Sequence, residues 1–520
     1  MSRVESSLFS DRDLADLKAR GITTHAVHDQ LRLYREPPPP AHLLRACTIG
    51  DGIRRLSDEQ VQYYASLYDE EVCSLTVAKF VPASGAASRM FRSLLAVAAD
   101  PSLRTRSDLI ARSDFDTRAV LQLLAELHHF AFYDDLRDAV EREGVSIGEC
   151  VENDVPLLLS MLLEPKGLGY ASLPKGLLAF HRDRGQVRTA FEEHLVEAAA
   201  YARGQGDVCR LHFTVSPEHE VRFRALLASV RDSYEQQFGV HFEVEFSHQH
   251  PSTDTVAVDL DGDLVRDRAG RLLFRPAGHG ALIGNLGGLA CDLVFVKNID
   301  NVTVDEWKPL TVVWKRALAG VLLELRTEVF ARRRAVETEG PGAVDAALAL
   351  LVEHFGISVP EGLSAQRRRE FAVDRLDRPL RACGMISSDA DPGGGPFWVL
   401  DAHGHASVQI VETSQIDRKN QGQLAILASA GHFNPVDLVC ATRDWKGRTF
   451  DPDRFIDHSA VFIAEKSQDG RPLRALERPG LWNGAMAGWN SVFVEVPAET
   501  FHPVKTVGDL LAPAHQGRGT

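Results

Sequence analysis

One stretch near the middle of the chain narrows the possible folds most. Cys209-Arg-Leu-His-Phe-Thr-Val-Ser216 reads as a strand, and Pro217 then starts an amphipathic helix through Phe223, Leu226, Leu227 and Val230. Val240-His-Phe-Glu-Val-Glu-Phe246 alternates, with Phe242, Val244 and Phe246 on one face, and forms a further strand. Strand, helix and strand in this order argue for a mostly parallel sheet with helices on both faces. The continuous apolar run Leu293-Val-Phe-Val296 suits a central strand of such a sheet, covered on both sides. The expected class is α/β, with a mostly parallel mixed sheet.

The same alternation begins earlier. Leu75-Thr-Val-Ala-Lys-Phe-Val-Pro82 reads as a strand, and Ala83-Ser-Gly-Ala-Ala-Ser-Arg-Met-Phe91 is a small-residue loop entering a helix. Such a loop turns free backbone N–H groups and a helix N-terminus toward an anion. Arg89 adds a charge that can follow a transferring phosphate. A plain tight turn would carry the same composition. Elsewhere helical spacing dominates. Residues 1–75 form a polar N-terminal cap broken by Pro37 to Pro40, with Ser57 and Gln60 boxing the start of a helix. Val120, Leu121, Leu123, Leu124 and Leu127 mark a helical insertion at 93–165, and Val312, Val313, Leu318, Val321, Leu322 and Leu325 mark another at 303–375. The core would then occupy 76–302 and return over 376–512, leaving a tail at 513–520.

Composition limits the partners. A formal charge of -14 argues against a broad nucleic-acid footprint but leaves room for a small basic pocket for phosphates. Arg332 to Arg334 and Arg367 to Arg369 read as solvated basic patches. The seven cysteines are scattered and lack a Cys-x-x-Cys pair, as expected of reduced, mostly buried thiols. No apolar run reaches the ~18 residues that a membrane span needs, and the N-terminus has no apolar signal core. The expectation is a cytoplasmic, soluble protein with no membrane or nucleic-acid partner.

Candidate chemistry lies in short motifs. In Leu173-Pro-Lys175, Pro174 fixes the backbone ahead of Lys175 and so presents its amine at a defined place, although a lysine in solvent is the commoner fate. Thr189 and Glu192 form a capping box over the next helix. Gly278 and Gly280 bracket His279, so the backbone there can approach a ligand closely. Lys297, Asn298, Asp300 and Asn301 follow the run 293–296, at the carboxyl end of a strand, where open α/β sheets place ligands. Asp259, Asp261 and Asp263 begin like a calcium loop but lack its closing Glu. His128 and His129 have no partner at ligand spacing and read as packing or surface residues. Asp389 to Pro396 is a loop by composition, and Trp482-Asn-Gly-Ala-Met486 could line a pocket or fill a core.

Several of these motifs, in the same chain order, resemble the sugar nucleotidyltransferases, and most closely the eukaryotic-type UDP-glucose and UDP-N-acetylhexosamine pyrophosphorylases. The loop with Gly85, Ser88 and Arg89 resembles that family's glycine-rich nucleotide loop, with Ala86 and Ala87 where glycine is usual. Leu173-Pro-Lys175 resembles its Pro-Lys motif, and Ser247-His-Gln249 a segment that often carries a base-contacting glutamine. Arg275-Pro-Ala-Gly-His-Gly280 resembles its Pro-Gly-Gly-His-Gly motif, and Lys297-Asn-Ile-Asp-Asn301 its Asn-x-Asp-Asn strand end. Glu412-Thr-Ser-Gln415 is similar to its Glu-Tyr-Ser-Glu segment, and His432-Phe-Asn434 to an Asn-containing sugar-pocket strand. Pro503-Val-Lys-Thr506 with Asp509-Leu-Leu511 resembles its Pro-Val-Lys-Thr…Asp-Leu-Leu motif. The chain as a whole also resembles an uncharacterised bacterial family of unknown function.

The resemblance implies a nucleotide-diphospho-sugar transferase fold of the GT-A-like kind. It implies joining of a sugar 1-phosphate to a nucleoside triphosphate, UTP favoured, with release of pyrophosphate. Asp300 would hold Mg²⁺, while Arg89, Lys175 and Lys505 would meet the phosphates. Gly85, Ser88, Gln249, Gly278, His279 and Gly280 would bind the nucleotide, and Asn298, Glu412 and Asn434 the sugar. Two other classes share the same residues: a non-catalytic sugar-nucleotide binder, motivated by the altered glycine loop, and a glycosyltransferase on the same fold.

Overall fold

The computed structural model describes residues 8–85, 87–387, 394–401, 404–468 and 470–517. Most of the loop read at Asp389 to Pro396 therefore lies outside the described residues. The chain divides into two compact units, each built from three stretches. The first comprises Met1–Tyr68, His248–Phe295 and Ala317–Val496, and the second Asp69–Ser247, Val296–Arg316 and Pro497–Thr520. In class the protein is mixed α/β, with mostly parallel main-sheet strands in both units.

In the second unit the strands Val77–Pro82, Val208–Thr214 and His241–Ser247 pair in parallel, in that order. Strand, helix and strand occur here as the alternation requires. The connecting helix Glu220–Phe238 ends on Gly239, whose φ of 62° supplies the left-handed turn back to the sheet. Phe191, Phe213, Phe223 and Phe246 form an aromatic core between helix and sheet, with Phe191 and Phe213 centred 4.7 Å apart. The Thr189–Glu192 capping box opens the helix Ala190–Tyr201, which is buried over most of its length. The stretch 93–165 is helical, from Arg92–Ala98 through Val155–Leu163. Asp114 and Asp154 cap two of those helices by accepting N–H groups three residues on.

In the first unit Thr48–Ile49, Gly52–Arg54, Asn490–Glu495 and Leu380–Ser387 pair in parallel, and Asp437–Ala441 joins antiparallel. A small antiparallel sheet holds Phe274–Arg275, Thr255–Val258, Arg471–Glu477 and Phe462–Gln468. The helices Asp11–Arg20 and Thr24–Arg35 cover it, burying Leu17, Val27, Leu31 and Tyr34 against Val256, Val258 and Leu476. The Tyr34 hydroxyl donates to the Val256 carbonyl at 2.8 Å. Another antiparallel sheet joins His42–Ala46, Gly394–Leu400 and Ala406–Glu412. The strand Leu293–Lys297 is buried at every residue, as its apolar run demands, and passes from the first unit to the second after Phe295.

Three readings are corrected. The stretch 1–75 is not only helical, because it holds three strands of two to five residues, too short to show a period. Arg333 is not solvated: it is buried, paired with Asp377 at 2.9 Å and lies against the Trp445 ring. Pro217 lies ahead of its helix, which begins at Glu220. All seven cysteines are free thiols and only Cys73 is exposed. Asp259 closes a turn by accepting the N–H groups of Asp261 and Asp263, and no metal-holding group of three His, Cys, Asp or Glu residues occurs among the described residues. No described helix is long and apolar enough to cross a membrane.

Candidate active site

The second unit draws four motif stretches together. Lys175 lies at the start of a short 3-10 turn after Pro174, and its Nζ donates to Asp300 Oδ2 and to the Val504 carbonyl, both at 2.6 Å. Val504 N–H donates to the Asp300 carbonyl at 3.0 Å, and His502 N–H to Asn301 Oδ1 at 3.0 Å. The C-terminal Pro-Val-Lys-Thr segment is thereby fastened to the strand end 298–301. The small-residue loop joins the same knot, because Ala87 N–H donates to the Leu173 carbonyl and Val507 N–H to the Met90 carbonyl. Gly85, Ser88, Arg89 and Lys505 stay exposed around it. Asn298 is half-buried, and its carbonyl accepts from Asn301 N–H.

Two buried clusters occur in the same unit, and the first of them grips the strand that leads to Asp300. Glu197 takes Lys297 Nζ on one oxygen and Lys79 Nζ on the other, both at 2.7 Å, with the Tyr201 hydroxyl at 3.0 Å. Burial alone would raise the Glu197 pKa, but Lys297 and Lys79 outweigh it and hold the carboxyl well below its ordinary range. Burial pulls Lys79 down to about 7 despite the partial support of Glu197. His194 donates from Nε2 to the Ile299 carbonyl, next to Asp300, and burial keeps this ring well below the usual histidine range. In the other cluster Glu193 Oε1 meets His181 Nδ1 at 2.8 Å, and His181 Nε2 meets His515 Nδ1 at 2.8 Å. Burial, then the neighbouring His181 and His502, press His515 down to about 3. Lys308 and Arg188 balance Glu193 from its other side.

The first unit carries a separate constellation around His279. Gly278 has a φ of 77°, and a Cβ there would come within 2.8 Å of Glu477 Oε2. At Gly280 a Cβ would lie 1.9 Å from the Pro479 carbonyl, so the close approach that glycine permits is taken up by the chain itself. His279 Nδ1 accepts the Leu481 N–H at 2.9 Å, which puts the ring proton on Nε2. That Nε2 faces Glu412 Oε1 at 3.6 Å, beyond hydrogen-bond length. The Trp482 indole stacks on the imidazole, 4.1 Å between centroids and 9° from parallel.

A family model described as "Domain of unknown function (DUF4301)" matches residues 10–516. The chain belongs to this family. No curated protein matches the DUF4301 chain. Among solved structures it is similar to a UDP-glucose phosphorylase from Trypanosoma brucei, at 14% identity and a TM-score of 0.44, over 96% of this chain and 77% of that one. It is similar to the uridine diphosphate N-acetylglucosamine pyrophosphorylase from Trypanosoma brucei at 12% identity and a TM-score of 0.49, over 99% and 79%. It is likewise similar to a UDP-glucose pyrophosphorylase from Leishmania major at 12% identity and a TM-score of 0.45, over 98% and 78%.

The remaining sequence candidates of this DUF4301 chain have local partners. Gln249 donates to Thr253 Oγ1 and Asp254 Oδ1. Asn434 is buried, donating to the Gly384 carbonyl and accepting the Val436 N–H, and so holds a strand end. Sequence reasoning did not find the two buried clusters or the imidazole stack. Their signal is weak in the chain: Glu193, His194 and Glu197 sit on a helix whose remaining residues, apart from the capping Glu192, are mostly apolar, and only a fold shows what they meet.

Proposed function

We propose that the chain is a sugar nucleotidyltransferase, joining a sugar 1-phosphate to a nucleoside triphosphate, UTP favoured, and releasing pyrophosphate. The observation that carries this reading is the Lys175–Asp300–Val504 knot, where the sequence stretches around residues 85, 174, 300 and 504 meet. Nucleotidyl transfer asks a protein mainly to hold two anions in line and to offset spreading charge. Lys175 and Lys505 serve the phosphates at the reacting centre, and Arg89 the departing pyrophosphate. Gly85 and Ser88 offer loop contacts to the triphosphate. Gln249, Gly278, His279 and Gly280 are assigned to the nucleotide, and Asn298, Glu412 and Asn434 to the sugar.

Magnesium fits the donor chemistry in one respect. Mg²⁺ is held by one or two carboxylates while substrate phosphates and water supply the rest. Asp300 is one such carboxylate, and its side chain is 19% exposed, so it is reachable. Bound there with substrate, the ion would offset negative charge on the phosphates. The chain's own part is to release Asp300 from Lys175, which frees an ammonium for a phosphate at the same moment.

The test is pyrophosphate release measured across nucleoside triphosphates and sugar 1-phosphates with Mg²⁺. Turnover on a matched pair, lost in Lys175→Ala and Asp300→Asn, is expected. Tight UDP-sugar binding without turnover would replace this reading with a non-catalytic binder, and sugar transfer to an acceptor without pyrophosphate would replace it with a glycosyltransferase.

A further inference from the structure

The turn Gly480–Asn483 belongs to none of the roles above, yet it touches both ends of the His279–Glu412 pair. Leu481 N–H fixes the His279 tautomer and Trp482 fixes the plane of its ring. Asn483 is 2% exposed, and its Nδ2 reaches Gln415 Oε1 at 3.4 Å. The same Gln415 Oε1 accepts the Glu412 N–H at 2.9 Å, while the Glu412 carboxylate accepts from Gln415 N–H. Gly480 is required in this turn, since a Cβ there would lie 2.1 Å from Asn483 Oδ1 and 2.8 Å from His279 Cε1. One four-residue turn thus sets the donor and the acceptor of the pair.

The pair itself has a definite chemistry. Its members are an N–H donor, His279 Nε2, and a carboxylate acceptor, Glu412, held 3.6 Å apart. That is too long for a mutual hydrogen bond and too close for both to stay fully hydrated. A hydroxyl both donates and accepts, so one oxygen can take the imidazole N–H and give its proton to the carboxylate. A phosphate oxygen would accept from the imidazole but meet the Glu412 charge without a proton to offer. The pair is therefore matched to a neutral hydroxyl rather than to an anion.

We propose that Trp482 and Asn483 are positioning residues that determine sugar specificity by holding His279 and Glu412 at the spacing of a single bridging hexose hydroxyl. This rests on the nucleotidyltransferase reading and revises it at one residue: His279, grouped there with the nucleotide contacts, is moved to the hexose. Both residues act through others: Trp482 through the imidazole, Asn483 through Gln415.

Calorimetric titration of the full chain with UDP, UDP-glucose, UDP-galactose and UDP-N-acetylglucosamine tests it. The readout is the ratio of the best UDP-hexose affinity to that of UDP alone. Loss of one oriented charged hydrogen bond is expected to reduce this ratio about tenfold in Trp482→Ala and in Asn483→Ala. Trp482→Phe, which keeps a stacking ring, should restore most of it. A melting scan checks folding, and the half-buried Trp482 keeps the test decisive if the buried Asn483 variant does not fold. Folded Trp482→Ala with an unchanged ratio overturns the positioning role while leaving the nucleotide reading intact. A wild-type chain that binds neither UDP nor any UDP-hexose overturns both.

Discussion

The two units hold two donor–acceptor pairs in opposite states. In the second unit Lys175 and Asp300 are closed on each other at 2.6 Å; in the first, His279 and Glu412 stand open at 3.6 Å. On the proposed reading, a ligand of the closed pair replaces one partner with another of the same charge: a metal for the lysine and a phosphate for the aspartate. A ligand oxygen at the open pair bridges the partners from one side, so that site suits a neutral group with one donor and one acceptor. Their supports differ in the same sense. Buried ionic clusters of Glu197 and Glu193 share the closed pair's unit, whereas a backbone N–H, two amides and an indole arrange the open one.

The sharpest way to break the comparison is to remove one partner of the closed pair. Lys175→Ala and Asp300→Asn are each expected to lower pyrophosphate-releasing turnover by roughly 10²–10³-fold, the usual effect of deleting a contact that stabilises transition-state charge. The double variant should lose little more than either single one, since the partners act as a unit. Single-turnover kinetics would show this; full additivity would mean that the two side chains work independently. At the open pair, Glu412→Gln keeps the size but removes the charged acceptor. A roughly 10–100-fold rise in KM for the sugar 1-phosphate is expected, with kcat much less affected. An equal fall in kcat would show that the open pair also meets the reacting phosphates.

Acid should separate the two regions as well. His515 is held neutral by burial, with His181 and His502 opposing its protonation and Glu193 favouring it. Its folded pKa of about 3 lies below the unfolded value of 6.5. Above pH 6.5 both states are neutral and the full contribution is present. As pH falls from 6.5 toward 3, only the unfolded chain takes up the proton, so stability declines. The limiting slope for one such group is about 1.4 kcal/mol per pH unit. Denaturant unfolding between pH 6.5 and 5.5 should therefore show a steeper loss for wild type than for His515→Gln. Equal slopes would mean that His515 is not the group excluded from protonation.

How far these regions could be read from the chain follows from what each depends on. Strand, helix and strand at 209–246 were legible because burial imposes a period on each element, and Leu293 to Val296 because a strand covered twice must be apolar throughout. The three N-terminal strands were not, because two to five residues cannot display a period. Lys175 stood out through Pro174, a local backbone constraint. Its engagement with Asp300 and Val504, respectively 125 and 329 residues away, is a product of topology alone. Trp482 and Asn483 looked equally suited to a pocket or a core, since an indole and an amide serve either. What distinguishes them is a stack and a hydrogen bond to residues far off in sequence, 203 positions for Trp482 with His279.

The smallest expected effect concerns Lys505, which follows the residue that accepts from Lys175 but meets the phosphates from an exposed position. Lys175 is clamped between a carboxylate and a carbonyl, while Lys505 is exposed and its backbone N–H is tied to Asp509 Oδ2 at 2.7 Å. The backbone there is ordered by the Thr506–Asp509 capping box, so the ammonium is delivered from a fixed base on a long, solvated stem. A charge in water acts through a high dielectric and is screened within about 10 Å at 0.1 M salt. Lys505→Ala should therefore cost at most about fivefold in kcat/KM. That loss should shrink as salt is raised from 50 to 300 mM, whereas the loss in Lys175→Ala should persist. A Lys505 variant as damaged as Lys175→Ala, and equally insensitive to salt, would mean that the exposed lysine closes onto substrate as tightly as the clamped one, and the division between exchange site and surface charge would have to be redrawn.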